Sequence, residues 1–450
     1  MGKSKIYILL IVLLLSNKSV FGADIRSSAE YSSNANNILW FIQVSDVHIG
    51  KEDKDKGKEI PNLDSLFLTG KEVIAPSFIV NTGDLIDATN SADKTEFYIP
   101  LPFPYPPIIV EKYPPNIQQP DEWIEYEKFL NKKQENKQNY YDIVGNHERY
   151  GDRNWKGTYD PETNKYYGYK NNSIYGSNSN PIGQFTWDTT LPNGDSYLFM
   201  AVNTCDETGI SWAEYIDMYG GIFKAQSDDP ELSVVERDYI ERELKKFALM
   251  ENPKLSFIFG HAGIYRLGPL FGLNPIEYKD KFLEHQLNEI GDKRGGKEFV
   301  NLLNQYNVSA YSFGHTHKNR DLYDLNAGHN ISSRLINTGS LTEQDTFRIV
   351  AVDNNGVSTI TAKVNEWPVT MITSPLEVKA TGLNNIYWEQ TIDNPYKYTI
   401  KSDSTNFVRA IAFFDPSQTD KKVEFRYKKK SWVWSYERLY MGDGVETVHL

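Results

Sequence analysis

"ILWFIQVSDVH", residues 38 to 48, is an apolar run that stops at an aspartate and a histidine. A run this short is below the length of an ordinary helix, and with few polar positions it reads as a strand buried on both faces. The same design returns four times: "SFIVNTGDLID" at 77–87, "YYDIVGNHE" at 140–148, "LSFIFGHAG" at 255–263 and "SAYSFGHTH" at 309–317. Between these lie helical stretches such as 121–133 and 231–249. In the second, Leu232, Val235, Tyr239, Leu244 and Phe247 fall near a 3.6-residue period. Strands alternating with helices predict an α/β layered core whose active loops sit at the carboxyl ends of the strands.

The chain of 450 residues, 40% hydrophobic, is long enough for two domains. A formal charge of -12 argues against unspecific binding to nucleic acid or anionic lipid. It leaves a phosphate ester open as substrate, because metal ions can supply local positive charge. At the N-terminus, "MGKSK" supplies two lysines, "IYILLIVLLL" an apolar run and "SNKSVFG" small residues. That layout predicts a signal peptide over 1–22, cleaved after Gly22, and a luminal or extracellular protein. An uncleaved anchor is the alternative, although the run is short for the ~20 residues of a spanning helix. Gly2 is followed by Ile6 where myristoylation wants Ser or Thr, so lipidation is rejected there. Loss of Lys3, Lys5 and Lys18 would move the charge from -12 to -15. No other stretch is long and apolar enough to span a bilayer.

Cys205 is the single cysteine, so no intrachain disulfide can form despite the oxidising route. Asn171, Asn307 and Asn330 each begin an N-x-S sequon, a weak glycosylation signal. Asn307, next to an apolar strand, is expected to stay unmodified. Two long stretches read as irregular insertions rimming the site. Residues 91–120 carry eight prolines from Pro100 to Pro120, and 151–181 are rich in Tyr, Asn and Gly. Surface insertion without function is the plainer reading of both. Trp123, Trp155, Tyr159 and "YYGYK" at 166–170 are candidates to stack on a substrate ring. Strands at 347–353 and 357–364 about an "NNG" turn close the first unit, 38–365. From "EWPVTMITSP" onward no helical period appears, and 367–450 read as a small Ig-like β-sandwich.

Chemistry gathers at the strand ends: Asp46 and His48; Asp84 with Asp87; Asn146 and His147; His261; His315 and His317. These blocks hold five of the eight histidines. One block alone would be a hydrogen-bonded structural residue; five in order point to metal. Carboxylate, amide and imidazole donors suit Mn, Fe, Zn or Co/Ni-type divalent ions rather than a thiolate site. Side chains at i and i+2 of a strand leave on one face, which would converge Asp46 with His48 and His315 with His317. Seven donors exceed one tetrahedral ion and suit two ions ~3.5–4 Å apart, sharing a carboxylate.

In "DVH", "GDLID", "GNHE", "GHAG" and "GHTH" the chain resembles the calcineurin-like metallophosphoesterases, over about 38–365. The resemblance implies a four-layer αββα sandwich. It gives Asp46, His48 and His317 to one metal, Asn146, His261 and His315 to the other, and Asp84 to both. His147 would face the phosphate and protonate the leaving oxygen rather than bind metal, with a bridging hydroxide as nucleophile. Asp87 reads either as an acceptor orienting His147 or a ligating histidine, or as a cap on the next segment. Glu148 stands where much of the family has Asp, which puts its hydrogen bonding in question. Purple acid phosphatases share "GNHE" but use a tyrosine ligand where Asp87 stands, and lack a histidine in the first block.

Within the family the chain is similar to the transmembrane protein 62 branch, where a β-sandwich opening on a "WP" segment precedes membrane helices. This chain ends inside the β region, the pattern of a secreted or a truncated form. The expected function is hydrolysis of a phosphomonoester or phosphodiester. The alternative is a metal-containing scaffold of the same fold, and a third reading makes the β region the main partner-binding unit.

Overall fold

The computed structural model describes residues 38–51, 56–88, 95–99, 108–112, 118–132, 139–150, 152, 155–175, 179, 181–205, 231–264, 290, 295–323, 331–353, 356–374, 407–413, 423–428, 435–440 and 444–449. The expected signal at 1–22 lies outside them. In chain order the strands are β1 (Leu39–Val44), β2 (Ile79–Asn81), β3 (Thr95–Ile99), β4 (Ile108–Lys112), β5 (Tyr140–Asp142), β6 (Thr158–Asp160), β7 (Lys165–Tyr167), β8 (Phe185–Thr190), β9 (Ser196–Ala201) and β10 (Pro253–Phe259). There follow β11 (Ala310–Phe313), β12 (Arg320–Tyr323), β13 (Arg334–Asn337), β14 (Thr346–Asp353), β15 (Gly356–Lys363), β16 (Val369–Ser374), β17 (Phe407–Phe413), β18 (Val423–Lys428), β19 (Ser435–Tyr440) and β20 (Gly444–His449).

Two mixed sheets carry the fold. The first has the order β15-β14-β1-β2-β5, with β1, β2 and β5 parallel. The second runs β12-β13-β11-β10-β9-β8, with β9, β10, β11 and β13 parallel between antiparallel edges. Alternation along each strand builds three apolar layers. Leu39, Phe41 and Val350 of the first sheet meet Phe199, Phe257 and Ile336 of the second. The opposite face, with Ile42, Val44 and Ile349, packs on Leu63, Trp123, Tyr126 and Phe129. Beyond the second sheet, Met200, Ile258 and Leu335 pack on Tyr239, Ile240, Leu244, Phe299 and Leu303. Helix, sheet, sheet, helix is the layering expected, and the carboxyl ends of the parallel strands carry the predicted blocks.

Several expectations move. The helix expected at 121–133 runs Pro120–Lys132, because proline fits a first turn and the Glu122 carboxylate accepts the Gln119 N–H at 2.8 Å. The second is Val234–Phe247, begun by the Ser233 hydroxyl accepting from the Glu236 N–H. Its buried face is Glu236, Tyr239, Ile240, Leu244 and Phe247, while Val235 is 53% exposed. The proline-rich insertion is not wholly irregular: β3 and β4 pair antiparallel. Residues 151–181 contain the β6–β7 hairpin and a short helix, Tyr169–Asn172. Asn307 is exposed in the turn before β11, since nearness along the chain to a buried strand does not bury a residue. Beyond residue 366, β16, β17 and β20 form an antiparallel sheet, and β18 pairs with β19. Among the described residues no helix is long and apolar enough to cross a membrane.

Candidate metal centre

β1 ends at Val44 and β11 at Phe313, so the donors stand on the loops beyond the strands. Asp46, His48, Asp84, His315 and His317 have φ of 53°, 53°, 54°, 66° and 52°. Such left-handed backbone is uncommon for residues with a Cβ and costs of order 1–3 kcal/mol each. This corrects the strand-alternation argument: the side chains converge because the loops turn, not because a pleat aims them. Hydrogen bonds between loops hold the turns. The Asp46 N–H donates to the Gly83 carbonyl at 3.0 Å, those of Val47 and His48 to Asp84 O at 2.9 and 3.0 Å, and the Ser340 hydroxyl to Asp46 O at 2.8 Å. Gly314 is required here, since a Cβ would lie 1.7 Å from Ser45 Oγ and 2.5 Å from Asp46 Oδ2.

All seven predicted donors come together. Asp46, His48, Asp84 and His317 place one donor atom each within 4.8 Å of one another, and so do Asp84, His261 and His315. Asp84 belongs to both groups. His317 Nε2 is 3.3 Å from Asp46 Oδ1 and 3.1 Å from His48 Nε2. His261 Nε2 is 3.1 Å from Asp84 Oδ2, 2.9 Å from Asn146 Oδ1 and 3.2 Å from His315 Nδ1. The Asn146 amide nitrogen donates to the Tyr150 hydroxyl at 2.7 Å, which aims its oxygen at the cluster.

Burial alone would raise the carboxyls, but the imidazoles outweigh it. His317 and His261 hold Asp46 at about 2, and His147 and His261 hold Asp84 well below its usual range. The same pairing lifts His261 to about 9 against its burial. Burial pushes His147 and His315 down to about 4.

Asp87 and Glu148 stand directly around the cluster. Asp87 Oδ1 lies 3.0 Å from His48 Nδ1, a close polar contact without hydrogen-bond alignment. The Asp87 carbonyl accepts from His147 Nδ1 at 2.5 Å, so Asp87 serves both rings. With His48 and His147 it forms a third close group. Glu148 is fully buried: Oε1 accepts from the N–H of Leu85 and Ile86, at 2.7 and 3.3 Å, and Oε2 from those of Asp84 and Gly145, at 3.0 and 2.6 Å.

Sequence reasoning missed Glu343, whose Oε2 is 2.9 Å from His317 Nδ1. Its one signal is the capping pattern S-x-x-E at 340–343, and the Ser340 hydroxyl does accept from the Glu343 N–H. Of the proposed stacking aromatics, Trp123, Tyr167 and Tyr169 are buried in the core and Trp155 is partly buried against it. Tyr159 and Tyr166, 45% and 41% exposed, pair with each other at 5.1 Å on the hairpin.

The donor set fits divalent cations. It offers carboxylate and amide oxygens and imidazole nitrogens, and two pairs of ring nitrogens face each other across 3.1 and 3.2 Å beside buried carboxylates. Fold and site together define a two-sheet α/β protein with a polar cluster at the strand ends whose donor chemistry is compatible with divalent cations. The chain belongs to the calcineurin-like phosphoesterases, whose family model matches residues 39–319. It is 23% identical over 278 residues to mouse (Mus musculus) transmembrane protein 62, covering 59% of this chain and 38% of that protein. A provisionally named metallophosphoesterase of Arabidopsis thaliana matches at 26% over 151 residues, 32% of this chain and 17% of its own length. The chain thus spans well under half of either relative. Among solved structures, the inner-membrane-complex anchor GAP50 of Plasmodium superposes with a TM-score of 0.38 at 13% identity, over 73% of this chain and 85% of that one.

Proposed function

We propose that the protein hydrolyses a phosphomonoester or phosphodiester at a centre of two divalent cations, in the secretory pathway or outside the cell. The observation that carries this is the membership of Asp84 in both donor groups. One carboxylate between two sets of donors is the arrangement a paired centre needs. Asp46, His48 and His317 would hold one cation, Asn146, His261 and His315 the other, and Asp84 both. When bound, such cations supply positive charge at the phosphate oxygens and a lowered pKa for water.

The chain's own groups do the rest. His147 donates its Nδ1–H to the Asp87 carbonyl, which leaves Nε2 on the side of Asp84, 3.7 Å from Oδ2. Burial keeps the ring neutral near pH 7. An anionic phosphate beside it favours the imidazolium, which then gives its proton to the leaving ester oxygen as water adds to phosphorus. The 367–450 region, read as a β-sandwich, is assigned to the same molecule as an accessory unit rather than as the site.

Elemental analysis of the purified protein should find about two divalent ions per chain. His147→Ala should keep both ions and lose turnover by roughly 10²–10⁴-fold. Unchanged turnover in that variant removes the acid role. A protein loaded with metal yet inert towards nucleotides, sugar phosphates and phospholipid head groups would favour a scaffold.

A further inference from the structure

Glu343 lies outside the span matched by the family model, on the short helix Leu341–Gln344 that follows β13. That helix grips His317 twice. Glu343 Oε2 stands 2.9 Å from the ring's Nδ1, and the Gln344 amide donates to the His317 carbonyl at 2.5 Å. The other Glu343 oxygen accepts from Lys51 Nζ at 2.9 Å. Lys51 is itself nearly buried, on the loop that follows Asp46 and His48. The order Lys51, Glu343, His317, Asp46 therefore runs as a line of polar contacts from the loop after β1 back to the loop after β1.

We propose that Glu343, fixed by Lys51, is a positioning residue that sets the His317 ring for cation binding at the Asp46/His48/His317 position. The inference rests on the reading that these three residues hold a cation. An Nδ1–H donated to the carboxylate leaves the Nε2 lone pair free for the ion, and the same bond makes the imidazole a stronger donor. Nε2 already faces the donors such an ion would share, Asp46 Oδ1 at 3.3 Å and His48 Nε2 at 3.1 Å. His48 also has an acidic neighbour, Asp87 Oδ1 at 3.0 Å from Nδ1, though without hydrogen-bond alignment. On the other side of Asp84, the group behind His261 Nδ1 among the described residues is a backbone carbonyl, Thr82 O at 2.8 Å. Loss of the Glu343 carboxylate should therefore weaken one cation position and spare the other.

Titration of the metal-free full chain with Co²⁺, read by its visible absorbance and by competition with a chelator, tests this. Wild type should take up two ions. Glu343→Gln should weaken one step by roughly 10–100-fold and leave the other unchanged. Glu343→Asp should regain part of the loss, which a merely structural residue would not show. Lys51→Met, which leaves the carboxylate in place but unheld, should weaken the same step less, and it decides the matter should Glu343→Gln fail to fold. Two wild-type-like steps in Glu343→Gln, or equal weakening of both, overturn the positioning role while leaving the paired centre intact. Absence of any specific Co²⁺ step in wild type overturns both readings.

Discussion

Glu148 accepts from four backbone N–H groups drawn from two loops, those of Asp84, Leu85, Ile86 and Gly145. It thereby ties the loop of the shared carboxylate to the loop of Asn146 and His147. Burial and the Asp84 charge raise its pKa to about 8, against the pull of the amides of Gly145 and Ile86. Glu148→Gln puts an NH2 group where two of those N–H donors point. Each unpaired buried donor costs about 1–3 kcal/mol. The expected loss is roughly 2–6 kcal/mol in urea unfolding, with cation uptake weakened as the loops part; unchanged unfolding would show that the amides find other partners. At this scale the sequence was legible for donor identity, because Asp84, Asn146, His261 and their companions follow recognisable strand ends. It was not legible for backbone: nothing in "SDVH" or "GHTH" announces φ near +50 to +66°, and pleat alternation gave the right convergence for the wrong reason. Glu343 escaped because its short helix carries no metal-site motif.

Asp142 shows how an element is anchored. It closes β5, and its carboxylate accepts from the Tyr126 hydroxyl at 2.7 Å, the Ser173 hydroxyl at 2.8 Å, and the N–H groups of Ile174 and Tyr175 at 3.0 and 3.4 Å. Its carbonyl accepts from the Tyr169 hydroxyl at 2.8 Å. The tyrosine-rich stretch is thus pinned to the first sheet, which is why Tyr169 is core and not a stacking platform. Composition reveals aromatics but not which way a segment folds back. Burial raises the Asp142 pKa to about 6, and the hydrogen bonds only partly oppose it. Between about pH 4 and pH 6 the unfolded chain has lost a proton that the folded chain keeps. Stability from this group is therefore full below pH 4, falls as pH rises, and levels off above 6. The shift amounts to roughly 3 kcal/mol. Asp142→Asn should flatten that part of the curve in urea unfolding measured at each pH; parallel curves for variant and wild type would sink the assignment.

Across the whole molecule, the boundary drawn near residue 366 marks a change of pattern but not a break in the core. Val369, Met371, Ile411 and Phe413 are buried in the same cluster as Ile42, Val44 and Ile349 of the first sheet. Phe413 meets Trp40 edge-on at 6.2 Å, and Trp367 meets Phe347 at 6.5 Å. Sequence could register the loss of helical period after "EWPV", because periodicity is local. It could not show that β16 and β17 cover the first sheet, because that packing joins residues some 370 positions apart. The consequence is mechanical. β1, whose far end leads into Asp46 and His48, lies at the centre of the sheet that these strands help to cover. Phe413→Ala, far from every donor, should cost about 3–5 kcal/mol. The loss should appear as a shift of one cooperative unfolding transition that includes the phosphoesterase core, followed by circular dichroism and by cation release together. Two separate transitions, with only the weaker one moved, would mean that the β region folds as an independent unit.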